Sequence, residues 1–168
     1  TVIGNTIEST SGKQSCFGIA ALGVSGGSSL FVTIQGNTVV GDLTNTKVGI
    51  NCEYVDRGAI VGNVVTRAIH HGIQGINLVS GNAIATVGQA TTNTYDGINC
   101  DSNSDKNAIV GNTISAGGSA TVHRYGVKYD GTNATIVGNH VDDAGTGSVV
   151  GAGAGALMIT DRRHAETY

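Results

Sequence analysis

The sequence lacks proline and tryptophan altogether, and it has little charge and few aromatic residues. Only 12% of its 168 residues are charged, and the formal net charge is −3. A protein that binds nucleic acid through its backbone phosphates usually carries a basic patch, which this composition excludes. No apolar run approaches the ~20 residues of a membrane-spanning helix. The sequence therefore predicts neither a nucleic-acid partner nor insertion into a membrane.

An initiator methionine and a signal peptide are also missing, and the single methionine is Met158. The first residues already belong to the repeat described below, so we expect the chain to be a piece of a longer protein or a processed product. Residues 1–160 are predicted to form one domain, and residues 161–168 a polar C-terminal tail. We expect a further N-terminal region or another chain to cover the first strands, because exposed sheet edges are usually capped.

Glycine and β-branched residues are abundant instead. The chain has 27 glycines, and 39% of its residues are hydrophobic, with valine and isoleucine dominating that fraction. No long apolar stripe with a period of 3.6 residues is found, and leucine, glutamate and lysine are scarce. This composition favours short strands separated by turns, and hence an all-β fold.

A Gly-Asn pair occurs six times along the chain. Valine or isoleucine stands three residues before and two residues after every one of these asparagines. Such regularity at twelve positions indicates an internal repeat. The distances between successive asparagines are 32, 26, 19, 30 and 27 residues. The six asparagines are Asn5, Asn37, Asn63, Asn82, Asn112 and Asn139.

A second series of glycines lies between the Gly-Asn pairs, and each is followed by isoleucine or valine. A small or apolar residue follows two positions after each of these isoleucines or valines, and the position between them is mostly polar. This alternation is the period of a strand with one buried face. We expect Leu157 and Ile159 to form the sixth member of this series. The first five members are Gly18-Ile19, Gly49-Ile50, Gly72-Ile73, Gly97-Ile98 and Gly126-Val127.

Short strands of constant pattern with connections of variable length are typical of a solenoid. The prediction is a right-handed parallel β-helix of about six coils, roughly 30 Å tall at ~4.8 Å per coil. The glycine of each pair permits a bend, and asparagine tolerates the left-handed region and bonds locally. Stacked asparagines can form a ladder of amide hydrogen bonds. The Gly-Asn pair is thus interpreted as a structural corner.

The three cysteines are interpreted as small buried residues of a reduced chain. Cys52 and Cys100 occupy equivalent positions two coils apart, about 10 Å, which is too far for a disulfide. Cys16 lies elsewhere in its coil, and no histidines group with the cysteines as a zinc site requires. The sequence predicts no metal and no cofactor.

The I-x-G-N-x-I corners and G-I-N-C strands resemble the pectin-lyase-like right-handed parallel β-helix superfamily over nearly the whole chain. They are most similar to the short-coil β-helices of bacteriophage tailspikes and related virion fibres. The resemblance implies the fold, and it implies function only weakly because sites are grafted onto folds. The G-H-G stretch of polygalacturonase-like members has a faint counterpart at His71-Gly72, although His70 replaces the first glycine. The paired aspartates and the Arg-x-Lys stretch of those enzymes are not found.

Two groups of residues are candidates for catalysis. His71 and Asp96 should lie one coil apart, within ~5 Å, as an ion pair, a catalytic pair or simply a stacked polar pair at a strand edge. A column of acids, Glu53, Asp101 and Asp130, should follow the second strand on the side where β-helix glycosidases carry their chemistry. Asp101 and Asp130 would be ~5 Å apart, as in a retaining enzyme, and Glu53 and Asp101 ~6.5–9.5 Å apart, as in an inverting one. Acids at strand ends are equally explained by local turn chemistry.

Aromatic and polar residues near these candidates could bind a glycan, since aromatic rings stack on sugars. The leading hypothesis is a virion spike or fibre domain of a phage or phage-like particle that binds a cell-surface polysaccharide at the virion surface. It would be a homotrimer that contacts other virion proteins, because the small residues 151–156 suit close packing. The alternatives are a secreted polysaccharide depolymerase, hydrolase or lyase, and a purely structural segment. The glycan-binding candidates are Tyr54, Tyr95, Tyr125, Tyr129, Asn51, Asn99 and Lys128.

Overall fold

The computed structural model describes most of the chain, and its regular elements are short strands. The described residues are 1–9, 16–23, 31–55, 57–75, 78–91, 93–100, 107–117, 123–142, 144–151, 157–159 and 162–163. They form strands β1 to β20 and no helix: Val2–Ile3, Thr6–Glu8, Cys16–Ala20, Phe31–Gln35, Thr38–Val40, Thr46–Asn51, Arg57–Val61, Val64–Thr66, Ile73–Gln74, Leu78–Ser80, Ala83–Ala85, Ile98–Cys100, Ala108–Val110, Thr113–Ser115, Tyr125–Tyr129, Thr135–Val137, His140–Val141, Gly147–Gly151, Leu157–Ile159 and Arg162–Arg163.

The strands build three parallel sheets in which hydrogen-bonded neighbours come from successive coils. Sheet A has the order β1-β4-β7-β10-β13-β16-β19, sheet B the order β2-β5-β8-β11-β14-β17-β20, and sheet C the order β3-β6-β9-β12-β15-β18. Every third strand along the chain therefore returns to the same sheet. This is a parallel β-helix, and the predicted all-β solenoid is confirmed.

Two of the three sheets have one strand more than the predicted six coils would give. Sheets A and B each have seven strands, because β19 and β20 stack on β16 and β17 without a Gly-Asn pair between them. The expectation for Leu157 and Ile159 was wrong, since they belong to sheet A, and β18 is the sixth strand of sheet C. β20 also continues the strand pairing into the segment predicted as a tail.

The core consists of columns of valine and isoleucine, one column from each sheet. Ile34, Ile60 and Val79 are aligned in sheet A and have no exposed surface. Val65 and Ile84 continue the same arrangement in sheet B. Each such side chain stabilises the fold by ~1.5–3 kcal/mol through removal from water. The inward positions predicted from the repeat are thus the buried ones.

The Gly-Asn corner has the same backbone at each repeat. The glycine lies in the left-handed region, as at Gly62 with φ +63°, and a Cβ there would meet no atom within 4 Å. Conformation, rather than lack of space, therefore selects glycine. The asparagine after it is not left-handed at any of the six corners. Its contribution is the side chain, which corrects the left-handed role expected for asparagine.

The six asparagines form a continuous ladder through the stack. Asn63 shows the pattern: its backbone N–H and Nδ2 donate to Oδ1 of Asn82 over 2.9 and 3.0 Å, and Nδ2 also donates to the Ile34 carbonyl over 3.0 Å. The same bonds join each asparagine to the next from Asn5 to Asn139. Every rung beyond the first is buried.

The second glycine series marks the place where sheets B and C approach most closely. A Cβ on Gly49 would lie 2.1 Å from Cγ1 of Val65 and 2.7 Å from the carbonyl oxygen of Gly72. Equivalent clashes are found at Gly72 and Gly97. A side chain at these positions would push the sheets apart, so glycine is required for space here. This close approach holds sheet C, and the residues that it carries, firmly on the core.

Candidate functional site

The predicted site residues are distributed around sheet C and the segments that enter and leave its strands. His71 precedes β9, Asp96 precedes β12 and Arg124 precedes β15. Because β9, β12 and β15 are neighbours in the sheet, these three residues come from successive coils. Lys128 lies within β15 itself. The parallel register brings them together although 25 to 28 residues of chain separate one coil from the next.

Asp96 and Arg124 form the central ion pair of this site. Nε and Nη2 of Arg124 donate to the two carboxylate oxygens over 3.1 and 3.0 Å. Asp96 is fully buried, whereas about a third of the Arg124 side chain is exposed. Burial raises the pKa of Asp96, although the guanidinium opposes that shift. The pKa of Arg124 is raised by its hydrogen bond to Asp96. Bidentate arginine–carboxylate pairs are strong and directional, so this pair fixes the site's geometry.

His71 lies beside Asp96 in the neighbouring coil, within ion-pair distance of its carboxylate. Its Nδ1 accepts the backbone N–H of Asp96 over 3.0 Å, whereas the Asp96 carboxylate lies 3.7 Å away. Burial lowers the pKa of His71 to about 4, assisted by the charge at His70. The proton is therefore on Nε2. The carboxylate of Asp96 pairs with Arg124, and His71 would join this ion pair only in its protonated form.

Aromatic rings cover one end of the site. The imidazole of His70 stacks on the ring of Tyr95 with centroids 4.0 Å apart, and His71 meets the edge of the same ring at 5.3 Å. The Arg124 guanidinium lies 5.1 Å from the centroid of Tyr125. Tyr95 and Tyr125 are both partly exposed. Three of the rings thus form a packed group with one side toward solvent.

The other aromatic candidates lie elsewhere. Tyr54 is exposed and has a left-handed backbone with φ 57°. Tyr129 is completely buried in the core, where its hydroxyl donates to the Thr132 carbonyl. Its ring has no surface to offer a glycan. The prediction for Tyr129 is therefore wrong, and the strand alternation that placed the residue inward was the better guide.

The two described acids of the predicted column each bond to a different neighbouring side chain. Glu53 accepts a hydrogen bond from Nε2 of Gln74 over 2.5 Å, and Asp130 accepts one from Nζ of Lys128. The register places Glu53 and Asp130 three coils apart, or about 14 Å at the usual strand spacing. That separation is beyond the ~6.5–9.5 Å of an inverting pair. Asp101 lies outside the described residues.

Asn51 and Asn99 are on the outer face of sheet C, in register with Gln74. Both are nevertheless buried, and neither Oδ1 has a hydrogen-bond partner. A ligand at the surface cannot reach them, so they are wrong as glycan-binding candidates. Lys128 lies in the same column and has a quarter of its side chain exposed.

Two residues of the site were missed by the sequence analysis. Arg124 binds Asp96, and His123 beside it is fully buried, with neither ring nitrogen hydrogen-bonded. Burial lowers the pKa of His123 to about 4. The available signal was the alignment of Gly126 with Gly97, which places the segment before β15 beside Asp96. Sequence spacing alone did not give the side-chain directions.

The described part of the chain contains neither a group of metal ligands nor a membrane-spanning helix. Among those residues, no three His, Cys, Asp or Glu side chains are grouped closely enough to hold a metal ion. No helix there is long and apolar enough to cross a membrane. Cys52 and Cys100 are both buried, and burial raises the pKa of Cys52 to about 12. The side chain of Cys16 lies outside the description.

Comparisons with known proteins found no relative. No family model matches the chain, and no curated protein and no solved structure matches it significantly. The site must therefore be interpreted from its own geometry.

Proposed function

We propose that this chain is a β-helical domain of a virion spike or fibre, from a phage or phage-like particle, which binds a host surface glycan. The observation that carries the proposal is the group of partly exposed rings beside the Asp96–Arg124 pair on sheet C. A stacked solenoid provides a rigid support for such a face. The similarity of the Gly-Asn corners to the pectin-lyase-like and tailspike β-helices supports the same assignment.

The chemistry of this group suits a sugar. Tyr95 and Tyr125 offer ring surface on which the apolar face of a pyranose can stack. His71 carries its proton on Nε2, because Nδ1 is occupied by the Asp96 N–H. Arg124 uses Nε and Nη2 for Asp96 and keeps Nη1 for a ligand. Sugar hydroxyls could accept from these fixed donors and from Lys128. Donors held in place before binding reduce the entropy lost in the complex.

Binding is favoured over hydrolysis by the state of the described acids. Asp96 is buried and held by Arg124, and Glu53 and Asp130 are far apart, each bonded to a neighbouring side chain. A glycosidase needs two carboxylates facing one glycosidic bond. The alternative, a secreted polysaccharide depolymerase, is favoured by one observation: the raised pKa of Asp96 beside the neutral His71, since shifted pKa values are frequent in active sites.

The proposal extends to the particle. The low-charge β-helix would present its binding face at the virion surface as part of a spike. It would be a homotrimer attached to other virion proteins. Light scattering of the purified chain tests the trimer, and a monomeric mass would contradict it.

The glycan-binding experiment uses an array of bacterial surface polysaccharides together with an assay for new reducing ends and unsaturated products. We expect a polysaccharide to be retained without cleavage. Tyr95→Ala should weaken binding at least about tenfold, in the range of a lost aromatic anchor. Phe31→Ala is the matched control, because Phe31 is exposed on sheet A, away from the site, and should bind as the parent does. Cleavage that is lost in Asp96→Asn would establish the depolymerase, and failure to retain any glycan would refute the binding proposal.

A further inference from the structure

A column of cationic and aromatic side chains runs along the side of sheet C where the chain enters it. Its members come from successive coils, and each stands three residues before an inward isoleucine or valine of the sheet. All four are at least partly exposed. We call this surface the entry column, and it consists of Lys47, His70, Tyr95 and Arg124.

The two ends of the entry column are positively charged, whereas its middle is not. Lys47 and Arg124 are three coils apart, or about 14 Å at the usual strand spacing. Between them, the imidazole of His70 stacks on the ring of Tyr95 with centroids 4.0 Å apart. Burial lowers the pKa of His70, and the charge of Lys47 lowers it further. The imidazole is therefore neutral at pH ~7.

The charge of Lys47, at one end, is not matched by a carboxylate. Its side chain is exposed, and it has no ion-pair partner among the residues that the structure describes. Asp42, the acid nearest to it along the chain, is turned toward its own turn. There its Oδ1 accepts the N–H groups of Asn45 and Thr46 over 2.7 and 3.2 Å. An anion at this end would thus meet an ammonium group that is available to it.

The other end has two cations close together. Arg124 pairs with Asp96, whose side chain is fully buried, and Lys128 pairs with Asp130. Nη1 of Arg124 remains for a ligand, because Nε and Nη2 bind Asp96. Together with Lys47, three cations stand against two paired carboxylates, in a chain whose formal net charge is −3. A local excess of positive charge on a negative protein attracts anions to that place.

We infer that the glycan of this site is an acidic polysaccharide with one anionic group in each repeating unit and uncharged sugars between these groups. The inference rests on the proposed glycan binding. The polymer lies along the entry column, with anionic groups at Lys47 and Arg124. An uncharged pyranose packs on Tyr95 between them. A polymer charged at every sugar would instead place an anion over the negative face of that ring.

The anionic group is a carboxylate or a phosphate, since guanidinium and ammonium groups bind both. The polysaccharide retained on the array is therefore compared with two neutralised forms of itself. Carboxyl reduction converts its uronates to uncharged sugars, and hydrofluoric acid removes its phosphate substituents. We expect one of the two treatments to weaken binding at least about tenfold, and that treatment identifies the group. Raising the salt to about 1 M, where the screening length is only ~3 Å, should weaken binding of the untreated polymer as well. Polygalacturonate, which is charged at every sugar, should compete poorly.

The matching substitution in the protein is Lys47→Gln. It should lower affinity for the retained polysaccharide about three- to fivefold, as expected for an exposed ion pair. Arg57→Gln is the control, because Arg57 is an exposed cation on sheet A, beside Phe31. It removes the same charge from the chain and should bind as the parent does. Both positions are exposed, so both variants are expected to fold, and their unfolding curves check this.

Retention of an uncharged polysaccharide, or retention unchanged by both treatments, would overturn the inference and leave glycan binding itself intact. Equal losses in Lys47→Gln and Arg57→Gln would overturn it too, because net charge rather than the entry column would then be responsible. Polygalacturonate competing as well as the retained polymer would overturn the spacing of the charges.

If no polysaccharide is retained, the proposed function fails, and small ligands test the anion site separately. Glucuronate, glucose 1-phosphate and glucose are titrated into the chain while the Nε–H signal of Arg124 is followed by nuclear magnetic resonance. A saturable shift with either anion, but not with glucose, would support the site. An equal response to all three, or none, would overturn it.

Discussion

Oδ1 of Asn82 accepts two hydrogen bonds from Asn63, one from the backbone N–H over 2.9 Å and one from Nδ2 over 3.0 Å. Both residues are buried. The relationship explains why asparagine is repeated at every corner: a side-chain amide accepts from the coil before it through Oδ1 and has two N–H donors, one for the coil after it and one for a backbone carbonyl. Serine has a single O–H donor and ionised aspartate has none, so either would leave an acceptor at the corner without its donor.

Asn82→Ala should therefore destabilise the protein by about 3 kcal/mol, because several buried donors and acceptors of the neighbouring rungs lose their partners. Asn5→Ala, at the exposed end of the ladder, removes fewer buried bonds and is expected to change stability by less than about 1 kcal/mol. Urea unfolding followed by circular dichroism measures both. Equal effects of the two substitutions would show that burial of the ladder is not the source of its stability.

The two glycine series should respond differently to alanine. Gly49→Ala places a methyl group against Val65 and the backbone of Gly72, so we expect a loss of more than about 3 kcal/mol or failure to fold. Gly62→Ala meets no neighbouring atom but must adopt a positive φ, which typically costs ~1–2 kcal/mol. Thermal unfolding compares the pair. A milder effect at Gly49 than at Gly62 would contradict the close approach of sheets B and C.

Replacement of Arg124 should leave the buried carboxylate of Asp96 without its ion-pair partner. Arg124→Ala removes both hydrogen bonds to Asp96, and breaking a buried ion pair in this way usually costs ~3–5 kcal/mol. The double variant Asp96→Asn, Arg124→Ala no longer buries a charge and should recover part of that loss. A double-mutant cycle by urea unfolding gives the coupling. Additive effects of the two substitutions would mean that the pair contributes nothing through its interaction.

Stability should fall as the pH is lowered through the range between the unfolded and folded pKa values of His71 and His123. Both folded values are lowered from 6.5 to about 4 by burial, so the unfolded chain binds more protons in this range. The free energy of unfolding is then independent of these groups above pH ~6.5. It decreases toward pH ~4, by on the order of 3 kcal/mol for each histidine.

The histidines can be separated by substitution. His71 is in contact with Asp96 and lies near the charges of Arg124 and Lys128, whereas His123 lies near Asp96 alone among these groups. His123→Phe should remove about half of the pH dependence, since the phenyl ring has no proton to take up. Unfolding measured at several pH values between 4 and 7 gives the slopes. An unchanged slope in His123→Phe would show that His123 is protonated in the folded state.

The thiol of Cys52 should be unreactive while the protein is folded. Only the thiolate attacks disulfide reagents, and burial raises the Cys52 pKa to about 12. In a Cys16→Ser, Cys100→Ser background, we expect labelling by an aromatic disulfide at pH 8 to proceed at the rate of unfolding. Mass spectrometry after timed additions measures it. Labelling within seconds under native conditions would place Cys52 on an accessible, mobile segment.

The fold was predictable because its pattern is local and repeated. Valine or isoleucine on each side of every Gly-Asn pair gave the inward positions, and the recurrence of the pair gave the coil. The last coil was misplaced for the same reason: β19 lacks a Gly-Asn corner, so Leu157 and Ile159 were assigned to the wrong sheet. Tyr129 shows that two sequence signals can conflict. Its place in the strand alternation indicated burial, whereas its aromatic ring suggested a glycan-binding role at the surface, and the residue is buried.

Sequence by itself determined the winding of the chain, since backbone conformation at glycine and the period of apolar residues are properties of neighbours along the chain. The tertiary structure alone decided which side chains meet. Asp96 pairs with Arg124 from the following coil, and its N–H, rather than its carboxylate, bonds to His71. Those contacts depend on rotamers and on burial produced by residues far apart in sequence. A repeat therefore fixes where a residue stacks, but only packing fixes what its side chain binds.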